Sequence, residues 1–322
     1  MNETRDERTL ATISLGAMNF GGRTPEPESR AIVARAIERG VARIDTANVY
    51  GDGVSERIVG QSLAALSSTA RDRIEVATKV GLRQRGRAVE GLSRAAIERA
   101  CDESLTNLGV DAIDLYYLHA PHPSTPLDET LDAIADLLEK KRIRAWGVSN
   151  FAAWQIVEIA LRCDARSMPR PIASQVLYNL LVRQLDVDYF ACARRYPLRT
   201  VVYNALAGGL LARQPSHADA PPKGSRFDRV KMYQRRYWTE PMTRATARYA
   251  AIAGELGTTL PTMAYRWLVG RAGVDSILVG PATLEHLDFA LDACALPLDA
   301  AAMKRIDETH EALVGTNAQY AR

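Results

Sequence analysis

The chain has 322 residues, 47% hydrophobic and 25% charged, with a formal net charge of +3; this is the make-up of a folded globular protein and excludes a disordered one. So small a charge removes any whole-molecule argument for binding nucleic acid or a membrane surface. Cys101, Cys163, Cys192 and Cys294 are far apart and form no CxxC pair, which points to buried thiols in a reducing compartment and away from a disulfide framework or a structural zinc.

The stretch from Met1 to Thr9 is rich in Asp, Glu and Arg and has no apolar centre, so it does not read as a secretory signal. No segment approaches the roughly 20 apolar residues of a membrane helix, and a cytoplasmic protein is expected. Short apolar, β-branched runs then recur at Thr12 to Leu15, Ala42 to Asp45, Ile74 to Lys79, Ile113 to His119, Ile143 to Ser149, Ile172 to Gln175, Arg199 to Tyr203 and Ser276 to Val279. Between them lie segments with apolar residues at helical spacing, among them Ser29 to Arg39, Ser93 to Leu108, Leu127 to Lys140 and Ala152 to Cys163. Alternation of β and α implies parallel strands joined by right-handed crossovers. Eight such units with no Pro/Gly/Ser linker favour an α/β protein of one domain, residues 1–322, built as a (β/α)8 TIM barrel, over an open doubly wound sheet. Gly51-Asp52-Gly53 lacks GxGxxG spacing and does not join a strand directly to a helix, so a Rossmann fingerprint is absent. Two stretches interrupt the alternation: a long loop from Ala212 to Pro241, and an extra helix and tail after Leu298.

In a parallel barrel the chemistry gathers where strands end, so the polar residues closing each run are the informative ones. They are Asp45 with Tyr50 in the following loop, Lys79, His119, Ser149 with Asn150, Gln175, and Tyr203 with Asn204. Singly, Asp45 reads as a helix cap, Lys79 as a solvated side chain and His119 as a core histidine. Together at one mouth, Tyr50, Lys79, Asp45 and His119 suit delivery of a proton to a carbonyl that accepts hydride. A free phenol with a pKa near 10 donates poorly at neutral pH. An adjacent Lys79 ammonium is expected to lower that value, with Asp45 holding Lys79 charged. His119 is expected to hydrogen-bond the carbonyl oxygen as negative charge develops. No Ser or Cys nucleophile competes for the role.

The long loop carries Arg213, Lys223, Arg226, Arg229, Lys231, Arg235 and Arg236 against Asp219, Asp228 and Glu240. A solvated loop is the plain reading; the sharper one is a clamp over a dinucleotide pyrophosphate, with Gly208 and Gly209 letting the backbone approach. The last strand enters Gly280-Pro281-Ala282-Thr283, which opens a helix whose N-terminus suits a phosphate. His119 and His122 lack a third nearby ligand, and Pro121 and Pro123 imply a turn, so no metal is expected.

The segments IDTANVYGDGVSE (Ile44 to Glu56), VATKVG, DLYYLHAP, GVSNF (Gly147 to Phe151) and the Gln175 strand resemble the aldo-keto reductase superfamily, in its order and over nearly the whole chain. The resemblance implies a (β/α)8 barrel, Tyr50 as general acid, Asp45 and Lys79 as its supporting pair and His119 orienting the carbonyl. It implies that Ser149, Asn150 and Gln175 hold the nicotinamide carboxamide, with Tyr203 stacked beneath the ring; the alternative for Asn150 is a cap on the helix that follows. Met18, Asp45, Asn204, Leu206, Gly208, Arg213, Arg226, Gly280 and Thr283 complete the expected cofactor contacts. HAPHPSTPLDETL, NALAGGLL, MYQRRYW and the terminal Tyr320-Ala321-Arg322 are similar to the aflatoxin aldehyde reductase and succinic semialdehyde reductase branch. That branch implies small or carboxylated aldehydes as substrates, bordered by Tyr50, His119, Arg236, Trp238 and Arg322, and a homodimer. Many NADPH-dependent relatives place Lys, Arg or Asn in and after the last turn, whereas this segment through Ala290 carries only Glu285, His286 and Asp288. NADPH is the expected cofactor, with NADH the alternative. Three competing functions remain: a sugar or steroid-type reductase or dehydrogenase on the same site, a cofactor-binding regulatory protein with slow turnover, and an RNA-binding barrel, which lacks interleaved stacking residues.

Overall fold

The computed structural model describes residues 12–86, 88–213, 221, 223–228 and 230–315. Arg229, Asp219 and the terminal Tyr320 to Arg322 lie outside the described residues. Eight parallel strands close into a barrel: β1 (Thr12–Gly16), β2 (Arg43–Asp45), β3 (Glu75–Val80), β4 (Ile113–Leu118), β5 (Ile143–Ser149), β6 (Ala173–Leu177), β7 (Arg199–Tyr203) and β8 (Ser276–Val279), with β8 paired back to β1. The barrel expected from the alternation is therefore the one observed. Helices at Glu26–Glu38, Val54–Ala64, Arg94–Leu108, Leu127–Glu139, Ala153–Ala165, Tyr189–Arg195, Leu260–Val269 and Leu284–Ala293 follow the strands, and Ala300–Val314 is an additional C-terminal helix. The loop after β3 adds a short hairpin, Gln84–Arg85 against Ala88–Val89, that the sequence pattern does not announce.

Alternation along the strands separates two cores. Side chains such as Ile44, Val76, Tyr116, Leu118, Trp146 and Val148 pack outward against the helices in one large cluster. Ala77, Leu115, Tyr117 and Ala173 form a separate, small cluster inside the barrel. Register decides which polar residues meet: Asp45 is level with Gly16 and Ala77, Lys79 with Tyr117, Ser149 with Gln175, and Leu177 with Tyr203. The four cysteines are free, with Cys101, Cys163 and Cys294 buried and Cys192 partly exposed.

The interior is closed to added volume beside Tyr117. A Cβ on Gly147 would stand 2.7 Å from the Tyr117 ring and 2.7 Å from the Ala173 carbonyl oxygen, so only glycine lets Tyr117 lie across the barrel. Gly147→Ala is expected to destabilise the fold by about 1–3 kcal/mol, the usual cost of overpacking, read as a lower midpoint in urea unfolding at unchanged slope.

Candidate active site

β2 and β3 lie side by side; β2 ends in a buried charge and β3 carries one just before its last residue. Asp45 is 4% exposed and Lys79 fully buried. Lys79 Nζ donates to Asp45 Oδ1 and, at 2.6 Å, to the Thr46 carbonyl; the other carboxylate oxygen accepts from Gln175 Nε2 at 2.7 Å. Burial pushes the Asp45 carboxyl up and the Lys79 ammonium down, and each partner's charge opposes the other's shift.

Tyr50 sits in the loop after β2, its backbone N–H donating to the Ala47 carbonyl at 3.0 Å. Its ring meets His119 edge-on, with centroids 5.9 Å apart at 83°, and Lys79 Nζ lies 5.1 Å from its centroid. The expected lowering of the Tyr50 phenol by Lys79 is not what this structure shows. Burial first, and the Asp45 charge second, raise the phenol above its ordinary value. His119 closes β4, is 8% exposed, and has a buried Nδ1 with no partner among the described residues. Burial first and the Lys79 charge second hold its imidazole well below the ordinary range, so it is neutral at pH 7.

The ends of β5, β6 and β7 form one connected group. Asn150, at φ +63°, donates through Nδ2 to the His119 carbonyl at 2.9 Å and to Ser149 Oγ at 3.1 Å, and its Oδ1 accepts from the Tyr203 hydroxyl at 2.6 Å. Asn150 does not cap the next helix, which runs Ala153–Ala165, with the Ala152 N–H donating to Gln155 Oε1 at 2.9 Å. Asn204 Oδ1 accepts from the Gly208 N–H at 2.6 Å, and its Nδ2 donates to the Tyr237 hydroxyl at 2.8 Å. Gly208 has φ +69°, and a Cβ there would stand 2.8 Å from the Tyr233 ring, so glycine is required where the chain turns over the mouth. Leu206 precedes this turn, Ala207–Ala212, and packs against the core.

The stretch from Ala212 to Pro241, expected as a loop, contains the helix Lys231–Tyr237 and the start of the helix Glu240–Glu255. Tyr233 and Tyr237 turn inward on the first of these and anchor it, a pattern too short to stand out among arginines. Arg226 Nη2 donates to Asn19 Oδ1 at 3.0 Å and its Nη1 to the Tyr233 hydroxyl at 3.1 Å, with Met18 Sδ 3.9 Å from Nη1. Asn19 Nδ2 in turn donates to the Gly280 and Pro281 carbonyls at 3.2 and 3.0 Å. Thr283 then caps Leu284–Ala293, accepting from the His286 N–H at 3.2 Å. Arg23 donates to the Gly224 carbonyl at 3.4 Å; burial first, then the charges of Arg226 and Arg213, hold its guanidinium below the ordinary value. Three cations thus crowd one rim, and Lys223, Lys231 and Arg235 point to solvent. Asn19 and Arg23 were absent from the expected set, although the rule of polar residues after a strand end applies to them as it does to Asp45.

Arg236 lies beside Tyr203, whose phenol burial raises and the guanidinium lowers. Trp238 packs on Phe227 with ring centroids 5.1 Å apart. Arg322 falls outside the described residues. His122 Nδ1 is 2.7 Å from Thr125 Oγ1, and among the described residues no three metal-ligating side chains converge.

A barrel mouth that brings a phenol, a buried Lys–Asp pair and a neutral histidine beside a cationic rim suits proton delivery next to a bound polyanion. The Aldo/keto reductase family model matches residues 12–311. The chain belongs to the aldo/keto reductase family. It is 33% identical over 321 residues to human aldo-keto reductase family 7 member A3, covering 94% of this chain and 95% of that protein. It is 33% identical over 301 residues to human aflatoxin B1 aldehyde reductase member 4, covering 88% of each. It is also 30% identical over 275 residues to a probable voltage-gated potassium channel subunit beta of Arabidopsis thaliana, covering 84% and 83%. The protein is thus an NAD(P)H-dependent reductase that uses a nicotinamide cofactor on small carbonyl compounds. No helix among the described residues is long and apolar enough to cross a membrane.

Proposed function

We propose that the chain, as one catalytic domain acting in the cytoplasm and paired as a homodimer, reduces small aldehydes, including carboxylated ones, with NADPH as cofactor and Tyr50 as proton donor. The observation that carries this reading is the closeness of the Tyr50 ring to both His119 and the Lys79 ammonium, its centroid 5.9 Å from the His119 ring centroid and 5.1 Å from Lys79 Nζ. Bound at the mouth, the reduced nicotinamide supplies the hydride.

The residues present fit such a cofactor. Three arginines whose charges oppose one another stand beside a helix N-terminus, an arrangement that an anion relieves. Arg23, Arg213 and Arg226 would hold the phosphates with Gly280 and Thr283; Ser149, Asn150 and Gln175 would hold the carboxamide, with Tyr203 against the ring. Met18, Asn204, Leu206 and Gly208 would line the path between. The acidic Asp288 does not oppose the phosphates, since Arg35 and Arg39 pair with it at 3.0 and 2.7 Å. Arg23 supplies from the first βα loop the positive charge that the last turn lacks, which favours NADPH over NADH.

Burial keeps the Tyr50 phenol protonated, and its proton passes to the carbonyl oxygen as that oxygen becomes an alkoxide. The Lys79 ammonium stabilises the phenolate left behind, and Asp45 fixes that ammonium in place. Neutral His119 donates a hydrogen bond to the carbonyl oxygen and turns it toward Tyr50. Arg236, beside Trp238, would pair with a substrate carboxylate. The kinship with a probable channel subunit beta favours a second reading, a cofactor-binding regulator with slow turnover. Fast steady-state reduction of simple aldehydes rejects that reading. A panel adding a sugar and a steroid ketone separates the other reductase types.

Tyr50→Phe is expected to lower kcat for an aromatic aldehyde by at least about 100-fold with NADPH binding retained, measured by nicotinamide absorbance and by fluorescence titration. Because the Tyr50 phenol is raised and the His119 imidazole depressed, both stay in their working forms through neutrality. The kcat/KM profile should then show no inflection between about pH 6 and 8, and an inflection near 6.5 that vanishes in His119→Gln would overturn the neutral-imidazole role. Arg23→Ala and Arg226→Ala should each weaken NADPH about ten-fold or more and flatten its salt dependence. Arg236→Ala should raise KM for succinic semialdehyde about ten-fold while leaving an uncharged aldehyde within about two-fold.

A further inference from the structure

Below the mouth, the barrel interior is polar where aliphatic layers are the rule. Arg199 reaches across from β7 to β3 and grips Glu75 through both terminal nitrogens, at 3.0 and 2.6 Å. Arg43, from β2, brings Nε to 3.6 Å of the same carboxylate and donates from Nη1 to Thr12 Oγ1 at 2.7 Å. Glu75 is about one-third exposed at the N-terminal end of the barrel, and Arg199 is one-fifth exposed. One layer above lie Asp45 and Gln175. A cavity of about 10 Å³ between the two layers is lined by both, and by Ser14, Tyr117, Arg199 and Glu75. That volume and those polar walls suit a single water molecule. The Nε of Arg199 is buried with no partner among the described residues, a donor that such a water would satisfy.

We propose that Arg199 and Glu75 are positioning residues of the reductase, holding the charge state of Asp45 from the far end of the barrel across Tyr117 and the small cavity that Asp45 shares with them. The inference rests on the Asp45–Lys79 pair acting as described above. Tyr117 lies between the two layers and feels both: burial raises its phenol most, Asp45 and Glu75 raise it further, and Arg199 lowers it. Asp45 contacts Lys79 from β3 and Gln175 from β6, and shares its cavity with Glu75 from β3, Tyr117 from β4, Arg199 from β7 and Arg43 from its own strand. Tyr50, from its own loop, feels the Asp45 charge, and His119 closes the mouth above. Glu56, buried outside the strands and bonded to Thr78 at 2.6 Å and Asn107 at 2.9 Å, bears on Lys79 from behind. Cations and anions in this set are nearly balanced, so removing either partner of the floor pair tilts the field at Asp45 in a direction fixed by sign. Without Arg199, Glu75 keeps only the longer contact with Arg43, and its less compensated anion makes Asp45 hold its proton to higher pH. Without Glu75, Arg199 and Arg43 lose their shared anion and make Asp45 give up its proton at lower pH.

The test uses Arg199→Met, Glu75→Gln, the double variant and Arg199→Lys in the full chain with NADPH. It reads the carboxyl ¹³C NMR titration of Asp45 and the acid limb of kcat for reduction. Arg199→Met is expected to move both toward higher pH and Glu75→Gln toward lower pH, each by about half to one unit. The double variant is expected near wild type, and Arg199→Lys should restore the wild-type profile. Shifts in the same direction, or an unmoved Asp45 titration in Glu75→Gln, would overturn the proposal. Should Arg199→Met fail to fold, Glu75→Gln and Arg199→Lys still decide it. The NMR titration needs no turnover, so it stands apart from the catalytic reading, which instead falls if Asp45→Asn retains full activity.

Discussion

Everything at the mouth of this barrel depends on one buried ion pair. Moving a carboxylate and an ammonium out of water costs several kcal/mol for each ion even after relaxation. That cost is tolerated only where geometry and further hydrogen bonds use the remaining capacity of both groups. Here the Thr46 carbonyl takes one Lys79 proton and Gln175 takes the second Asp45 oxygen. Strand register is what makes this achievable, because Asp45 and Lys79 close adjacent parallel strands and Gln175 comes from across the barrel. A slip of one residue in β2 or β3 would turn a charge into the apolar layer beneath the helices, so the pair also specifies the register of the barrel.

The electrostatic character of the site follows from that pair. Burial first and the Lys79 charge second depress the imidazole, while burial first and the Asp45 charge second keep the resting phenol from becoming acidic. The phenol and the imidazole are thus both uncharged at neutral pH, and in the mechanism proposed above the charge they manage would exist only while a carbonyl oxygen becomes an alkoxide. A site arranged in this way interacts more strongly with the transition state than with the ground state.

Most of the barrel was legible in the sequence because a period of two and a period of 3.6 alternate along all but two stretches of the chain, and reactive residues closing apolar runs are a visible anomaly. Asp45, Lys79, His119, Ser149 and Gln175 stand out in this way, and the structure brings them to one end. Tyr50 was legible through its place in the loop after Asp45; the direction of its phenol's shift was not, since that depends first on how deeply the fold buries it. The helix Lys231–Tyr237 was hidden among arginines because two inward tyrosines at i and i+4 give only one turn of apolar signal. Arg23 was hidden for a different reason: its partners Gly224, Arg226 and Arg213 lie nearly 200 residues away in the chain, and only closure of the barrel makes them neighbours.

Asn150 carries a further consequence. Its amide already makes three hydrogen bonds, to His119, Ser149 and Tyr203, so a carboxamide arriving there trades bonds and gains few. Net affinity for a dinucleotide would then come mainly from the arginine rim, and the nicotinamide end would contribute handedness. If the carboxamide binds there as proposed, a ring turned over by 180° would leave the amide triad broken with nothing in exchange, and the exchange itself would select which face of the ring, and hence which of its two C4 hydrogens, meets the substrate.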